Sequence, residues 1–339
     1  MRYPEFLKPH GTIGLIAPSF GVSDFPYEDR FYDAVKKFKE KGYKIVEAEH
    51  LYGIDHAASA SAEIRAKEFM DMYLNDDIDF IFSVAGGELM LSILPYIDFE
   101  RIKNAKAKYL MGFSDNTCLT FTLNTICDVA SIYGPCFGGF GMEPWDQSLE
   151  DGYEVLTGKK LKLNSYPKYE VKPEDFEVLP GHALDPYLLN TDVEYKTLDG
   201  KPVEFKGRLV GGCLDLLTNI CGTKFDFVKE FVEKYKDDGI VWYLEACDLT
   251  VLDMYRSLWQ LKNAGWFEHC AGIMFGRPAN PQEMFDVDVK YALENVVGYL
   301  PVIYDMDFGH VQPSWSIISG SIAKVESKNG KGTISFSLD

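Results

Sequence analysis

The chain predicts an α/β fold in which an N-terminal open, mostly parallel sheet with flanking helices is joined to a C-terminal α+β domain. Three observations carry that prediction. Short apolar runs recur along the N-terminal part, amphipathic helical segments alternate with them, and Gly, Pro or Ser follows the end of several runs. Thr12-Ile13-Gly14-Leu15-Ile16-Ala17-Pro18-Ser19 reads as a central strand stopped by proline. Phe31, Val35 and Phe38 share one face of a helix over residues 29–41, and Gly42 suits a left-handed cap. Residues 44–47 form the next strand. Ser61 caps a helix carrying Ile64, Phe69, Met70 and Tyr73, and residues 79–84 return as a buried strand.

Ala85-Gly86-Gly87-Glu88 follows that strand directly. Two glycines let a backbone approach a ligand closely and expose its amides, although a plain tight turn uses the same residues. A short helix over 91–96 and a charged connection over 98–107 lead to a strand ending at Lys108-Tyr109-Leu110-Met111. A helix is expected over 117–127, and Ala130-Ser131-Ile132-Tyr133-Gly134-Pro135 closes the first domain, residues 1–145. From 146 to 205 periodicity weakens, prolines recur and acidic residues are frequent, so this segment reads as a connection with a hairpin or two. Alternation resumes in a domain over 206–339. Strands are expected over 205–212, 240–244, 272–276 and 301–304, helices over 214–221, 253–264 and 285–297, and a hairpin around Asn329-Gly330.

Length and composition limit the function. A chain of 339 residues suggests about two domains, and 46% apolar content describes packed globular structure. No apolar run approaches the roughly 18 residues that span a bilayer, and no signal-peptide core follows Met1, so the expected location is the cytoplasm. The seven cysteines contain no C-x-x-C pair and read as buried free thiols. A net charge of -18 argues against nucleic acid and anionic membrane, leaving small molecules, peptides and further copies of the chain as partners.

The stretch that organises the chemistry is Gly112-Phe113-Ser114-Asp115-Asn116-Thr117. Ser114 falls on the turn between a strand and a helix, where its hydroxyl is lifted clear and the first helical amides are available to an oxyanion. It resembles a nucleophile elbow, with Asn116 in place of the second glycine of G-x-S-x-G; a serine before a helix also serves as a plain N-cap. A serine hydrolase needs an imidazole and an orienting carboxylate as well. His310, on a loop after a strand and a glycine, and Glu245, at the end of the strand over 240–244, are of the right types at strand ends. H-E-x-x-H, the P-loop and G-x-G-x-x-G after a strand are absent, and Gly138-Gly139-Phe140-Gly141 heads no clear helix. For a metal, only Asp305 and Asp307 with His310 offer ligand types near one another, and acidic loop residues explain them equally well.

These residues carry a resemblance. Leu15-Ile16-Ala17-Pro18-Ser19, the Gly86-Gly87 pair, Gly112 to Thr117, Tyr133-Gly134-Pro135, Val210-Gly211-Gly212, Leu244-Glu245, Gly272-Ile273-Met274-Phe275-Gly276 and Gly309-His310-Val311-Gln312-Pro313 occur in the order of the LD-carboxypeptidase family of serine peptidases. That family includes murein tetrapeptide carboxypeptidases and microcin C immunity proteins. The resemblance implies Ser114 as nucleophile, Glu245 as orienting acid, His310 as a base of near-neutral pKa on a mobile loop, and an oxyanion hole from the amides of Gly87 and Asp115. It also implies no metal or organic cofactor, commonly a homodimer, and cleavage of an amide near a free carboxylate in a small peptide or peptidyl nucleotide. Gly86, Glu88, Arg256 and Arg277 are the candidates for holding substrate. Ala85 and Glu88 around the glycine pair, Tyr255 before Arg256 and Ile318 near Gly320 depart from the murein-directed pattern. Chain length and the acidic connection look more like the microcin-immunity branch. A catalytically idle peptide-binding or sensing protein on the same fold is the alternative.

Overall fold

The computed structural model describes residues 1–23, 26–173 and 176–339. Five strands, β1 (Thr12–Ile16), β2 (Lys44–Glu47), β3 (Phe80–Ser83), β4 (Tyr109–Gly112) and β5 (Ser131–Tyr133), run parallel in the first sheet. They alternate along the chain with helices α1 (Tyr27–Glu40), α2 (Ala62–Leu74), α3 (Phe99–Asn104) and α4 (Thr117–Thr125). Every residue of β3, β4 and β5 is buried, which is why these strands read as unbroken apolar runs rather than alternating ones. Phe31, Ala34, Val35 and Phe38 form the buried face of α1, and the Ser61 hydroxyl accepts from the Ile64 amide at the start of α2. Helix α3 interrupts the expected connection over 98–107. It is capped by Asp98, and Ile102 is its one fully buried side chain, too little apolar spacing to show in the sequence.

The segment expected to be connection contains α5 (Gln147–Leu156), β6 (Lys162–Asn164), the antiparallel pair β7 (Lys168–Glu170) and β8 (Leu189–Asp192), and β9 (Lys196–Thr197). Beyond it come β10 (Val203–Cys213), α6 (Leu214–Ile220), α7 (Val228–Lys234), β11 (Ile240–Glu245), α8 (Val251–Asn263), β12 (Cys270–Gly276), α9 (Val289–Val297), β13 (Val302–Met306), β14 (Ile317–Ser319), β15 (Ile322–Lys328) and β16 (Lys331–Ser337). The eight-stranded second sheet has the order β6-β16-β15-β10-β11-β12-β13-β9. Strands β10 to β13 are parallel at its centre, and antiparallel strands close both sides. Both edge strands, β6 and β9, thus come from the middle segment; at two and three residues they are too short to show a period.

The two sheets share material. Strand β14 leaves the second half and pairs antiparallel with β5, Ile317 opposite Tyr133 and Ser319 opposite Ser131. Residues 317–319, expected within the domain over 206–339, therefore complete the six-stranded first sheet, which does not close near residue 145. One apolar core runs from Ile13, Phe82 and Met111 through to Leu209, Tyr243, Met274 and Trp315. A second, around Trp242 and Trp266, takes Phe121 of α4 into an aromatic stack. All seven cysteines are free thiols, four of them buried, and among the described residues no helix is long and apolar enough to cross a membrane.

Candidate active site

Strand β4 ends at Gly112, and two residues later Ser114 sits at φ 64°, in the left-handed region. For a residue with a Cβ that conformation costs about 1–2 kcal/mol, so the surroundings must hold it. The Asn116 amide donates to the carbonyls of Phe113 (3.0 Å) and Ala85 (3.1 Å), and the Ser114 amide donates to the Tyr133 hydroxyl (3.2 Å). Asn116, standing where a second glycine was sought, is thus the tie between the turn and the glycine-pair loop. It also explains Gly112, where a Cβ would lie 2.7 Å from Asn116 Cγ.

The glycine-pair loop lies against this turn. A Cβ on Gly86 would sit 3.2 Å from Ser114 Cβ and 3.4 Å from its Oγ. Gly87 adopts φ 148°, and a Cβ there would fall 2.3 Å from Ser19 Oγ. Ser19 in turn donates to the Asp115 carboxylate, which also accepts from the Met90 amide at 2.9 Å, while the Phe20 amide donates to Gly86 O at 3.0 Å. The proline-stopped loop after β1, the glycine pair and the serine turn are therefore one hydrogen-bonded unit. Burial pushes the Asp115 carboxyl pKa up, against the hydrogen bonds from Ser19 and Met90 and the nearby Arg65 guanidinium. The Asp115 side chain therefore serves the scaffold of the turn.

The remaining groups arrive from the second half of the chain. His310 Nε2 lies 2.9 Å from Ser114 Oγ, and Nδ1 lies 2.8 Å from Glu245 Oε2. Glu245 closes β11, is fully buried, and accepts from the Tyr133 hydroxyl at 2.5 Å on its other oxygen. Gly309, at φ 103°, passes the carboxylate where a Cβ would be 2.7 Å from Oε2. Burial alone would raise the Glu245 pKa, but His310 and the hydroxyl of Tyr133 hold it below the usual carboxylate range. An ionised carboxylate only accepts, so Nδ1 carries a proton and Nε2 of a neutral imidazole is free to accept from Ser114. Burial likewise works to lower the His310 pKa, yet the Glu245 carboxylate and the Cys247 thiol beside it lift it above its ordinary value. This corrects the expectation of a near-neutral base. The imidazole is also held at both nitrogens and packed on Phe113 at 5.1 Å.

The candidates for substrate contact fare differently. Gly86 abuts the serine, and Glu88 is exposed, its pKa raised by partial burial and by Asp248, Asp115 and Asp215. Arg256 makes an exposed ion pair with Asp253 at 2.8 Å. Arg277 is buried, pairs with Asp307 at 2.8 Å and lies over the Tyr169 ring, and its Nη1 has no partner among the described residues. Asp307 also accepts from the Tyr166 amide and the Tyr195 hydroxyl, and Asp305 pairs with Lys196, so both acids sequence reasoning set beside His310 for a metal are engaged elsewhere. Sequence reasoning missed Ser19 and the bridging role of Tyr133. It also missed Cys213, whose sulfur lies with a Glu245 oxygen and a His310 nitrogen inside a 4.8 Å cluster. Only their places at strand ends could have flagged them.

Fold and geometry together define a two-domain α/β protein whose halves bring a serine hydroxyl, an imidazole and a carboxylate into one hydrogen-bonded line, the arrangement that activates a serine as nucleophile in hydrolases. The chain belongs to the LD-carboxypeptidase family: the family's N-terminal domain matches residues 13–134 and its C-terminal domain residues 206–325. Among its relatives, the microcin C7 self-immunity protein MccF of Escherichia coli is 27% identical, with 91% of this chain and 88% of that protein covered. The murein tetrapeptide carboxypeptidase of Pseudomonas aeruginosa is 21% identical over 90% of this chain and 87% of its own. The crystal structure of an MccF-like protein from Bacillus anthracis superimposes with a TM-score of 0.83 at 23% identity, covering 99% of both chains. MccF in complex with aspartyl sulfamoyl adenosine does so with a TM-score of 0.79 at 22% identity, covering 99% and 98%.

Proposed function

We propose that this protein is a serine carboxypeptidase or amidase that hydrolyses an amide near a free carboxylate, with an aminoacyl or peptidyl nucleotide of the microcin C type as substrate. The observation that carries the reading is the line from Ser114 through His310 to Glu245, made by residues 196 and 65 positions apart in the chain. In the reaction His310 Nε2 takes the Ser114 proton as Oγ attacks the carbonyl, and returns it to the leaving nitrogen; water then releases the acyl group by the same route. Glu245 holds the imidazole tautomer and balances the imidazolium. The amides of Gly87 and Asp115 receive the oxyanion, and the exposed Glu88 borders the approach. Support for the substrate class comes from the likeness to MccF, whose structures hold aspartyl and glutamyl sulfamoyl nucleosides. The enzyme would act in the cytoplasm as a homodimer.

The test is paired hydrolysis of aspartyl sulfamoyl adenosine and an LD-linked murein tetrapeptide by the parent chain and by Ser114→Ala. Release of the nucleoside by the parent and loss of at least about 1000-fold in the variant is expected. Undiminished turnover in Ser114→Ala overturns the nucleophile, and cleavage of the murein peptide alone overturns the substrate assignment.

A further inference from the structure

The acid end of the Ser114 line is surrounded by groups that hydrolysis does not use. The sulfur of Cys213, a carboxylate oxygen of Glu245 and a ring nitrogen of His310 all lie within 4.8 Å of one another. Cys213 ends β10 directly opposite Glu245 at the end of β11. A second thiol, Cys247, lies beside the same imidazole and is partly exposed. Asp215 spans the two cysteines, accepting from Cys213 Sγ at 3.3 Å and from the Cys247 amide at 3.1 Å. Two sulfurs, an imidazole and a carboxylate are the donor set that soft divalent cations select. In a tetrahedral zinc site with bonds of about 2.0–2.3 Å the donors stand roughly 3.5 Å apart, so the Cys213, Glu245 and His310 donors stand within about 1.3 Å of that spacing, and Cys247 would turn in as the fourth. Exposed Glu88 has the carboxylates of Asp248, Asp115 and Asp215 within electrostatic reach, so this side of the site is acidic.

We infer that the protein binds one zinc-like divalent cation at Cys213, Cys247, Glu245 and His310 Nδ1, and that this cation reversibly arrests turnover. Zn2+ replaces the two thiol protons, which leave to solvent, and the proton on Nδ1 is relocated to Nε2; no electron moves. With the metal on Nδ1 the ring's remaining proton sits on Nε2, facing Ser114 Oγ, so the imidazole donates where it must accept and the serine cannot be deprotonated. Metal ligation thus switches the tautomer that Glu245 otherwise enforces.

The arrest rests on the proposed function, whereas the metal site does not, and the experiment separates them. The full chain, reduced and stripped with chelator, is titrated with Co2+ as spectroscopic probe and with Zn2+ in competition against a chromophoric chelator, in parallel with the Ser114→Ala chain. One Co2+ per chain with an intense near-ultraviolet thiolate-to-cobalt band is expected in both, bleached by equimolar Zn2+, together with loss of nucleoside release from the parent over the same equivalents. Cys213→Ser should weaken Zn2+ by about 100-fold or more. Because Cys213 is fully buried and its replacement risks the fold, Cys247→Ser provides the second reading, with Zn2+ weakened at least ~10-fold. A parent chain without the thiolate band, or Zn2+ affinity unchanged in Cys247→Ser, overturns the site. A Co2+ band in a chain that hydrolyses neither substrate leaves the site standing and removes the functional reading.

Discussion

Replacing Gly87 by alanine tests the oxyanion half of the site at a position where the consequence is worked directly from geometry. The new Cβ would lie 2.3 Å from Ser19 Oγ and 2.9 Å from the Phe20 amide nitrogen, where ordinary contacts begin near 3.4 Å. Relief requires the loop and Ser19 to separate by about 1 Å, and Ser19 is not free to give way because its hydroxyl is bonded to Asp115, beside Ser114. The backbone adds to this, since φ 148° is strained for alanine by about 1–3 kcal/mol. A displacement of ~1 Å in a positioning group typically costs ~100-fold, and loss of one oxyanion donor about 100- to 1000-fold, or roughly 3–4 kcal/mol of transition-state stabilisation. Steady-state and single-turnover hydrolysis of aspartyl sulfamoyl adenosine should therefore show kcat reduced by ~100- to 1000-fold with KM little changed, because the donor acts on charge that develops only in the transition state. Gly86→Ala, whose Cβ would approach Ser114 Cβ at 3.2 Å with no unfavourable φ, should lose less. A folded Gly87→Ala protein with kcat within ~3-fold of the parent, under 1 kcal/mol, would refute a role for that amide.

Four further outcomes follow from the same geometry. The His310 pKa is raised above 6.5, so the acid limb of kcat/KM should lie above that pH, and Glu245→Gln should bring it down while lowering the plateau. For stability the signs differ: the raised His310 contributes fully below pH 6.5 and loses its contribution as pH rises through the folded value, whereas the lowered Glu245 contributes above about pH 4.5 and loses it as pH falls. Urea melts across pH should show both losses in the parent and neither in Glu245→Gln. Tyr133→Phe strips Glu245 of a hydrogen bond and leaves the Ser114 amide unpaired, so denaturant unfolding should report a loss of about 2–4 kcal/mol, together with a shifted pH profile that a purely structural change would not give. Arg277→Met leaves the buried Asp307 without its cation and should destabilise by about 3–5 kcal/mol in the same assay; an unchanged midpoint would mean the pair is open to solvent.

The N-terminal elements were legible because parallel strands buried on both faces and one-faced helices leave strong periods, and because Ser61 and Gly42 mark their ends. What failed to show was short or charged: α3 buries one residue fully, and β6 and β9 are too brief to carry a pattern, so the edges of the second sheet look like linker. Ser114, Glu245 and His310 each sit at or beyond a strand end, which made their types noticeable, yet nothing local reveals that β11 and the loop after β13 deliver them to the end of β4. The partners were invisible for a related reason. Ser19, Tyr133, Cys213 and Asn116 matter through contacts that reach segments distant in sequence, and their own surroundings read as ordinary core and turn. Arg277 shows the converse, a cation that suggests a ligand in sequence and proves in space to be engaged by Asp307 and Tyr169.

The crossing of residues 317–319 into the first sheet bears on how this protein can open. His310 lies only a short tether before that strand, and the strand is zipped to β5, the immediate neighbour of the strand that delivers Ser114. The loop that carries His310 thus runs from β13 in the second sheet to β14 in the first, so the imidazole is tied to both sheets at once, with Ser114 on one and Glu245 on the other. A hinge between the halves would therefore act on the loop that presents the imidazole rather than on the carboxylate alone. The same seam means that a chain severed in its middle segment has one fragment holding a strand that belongs to the other's sheet.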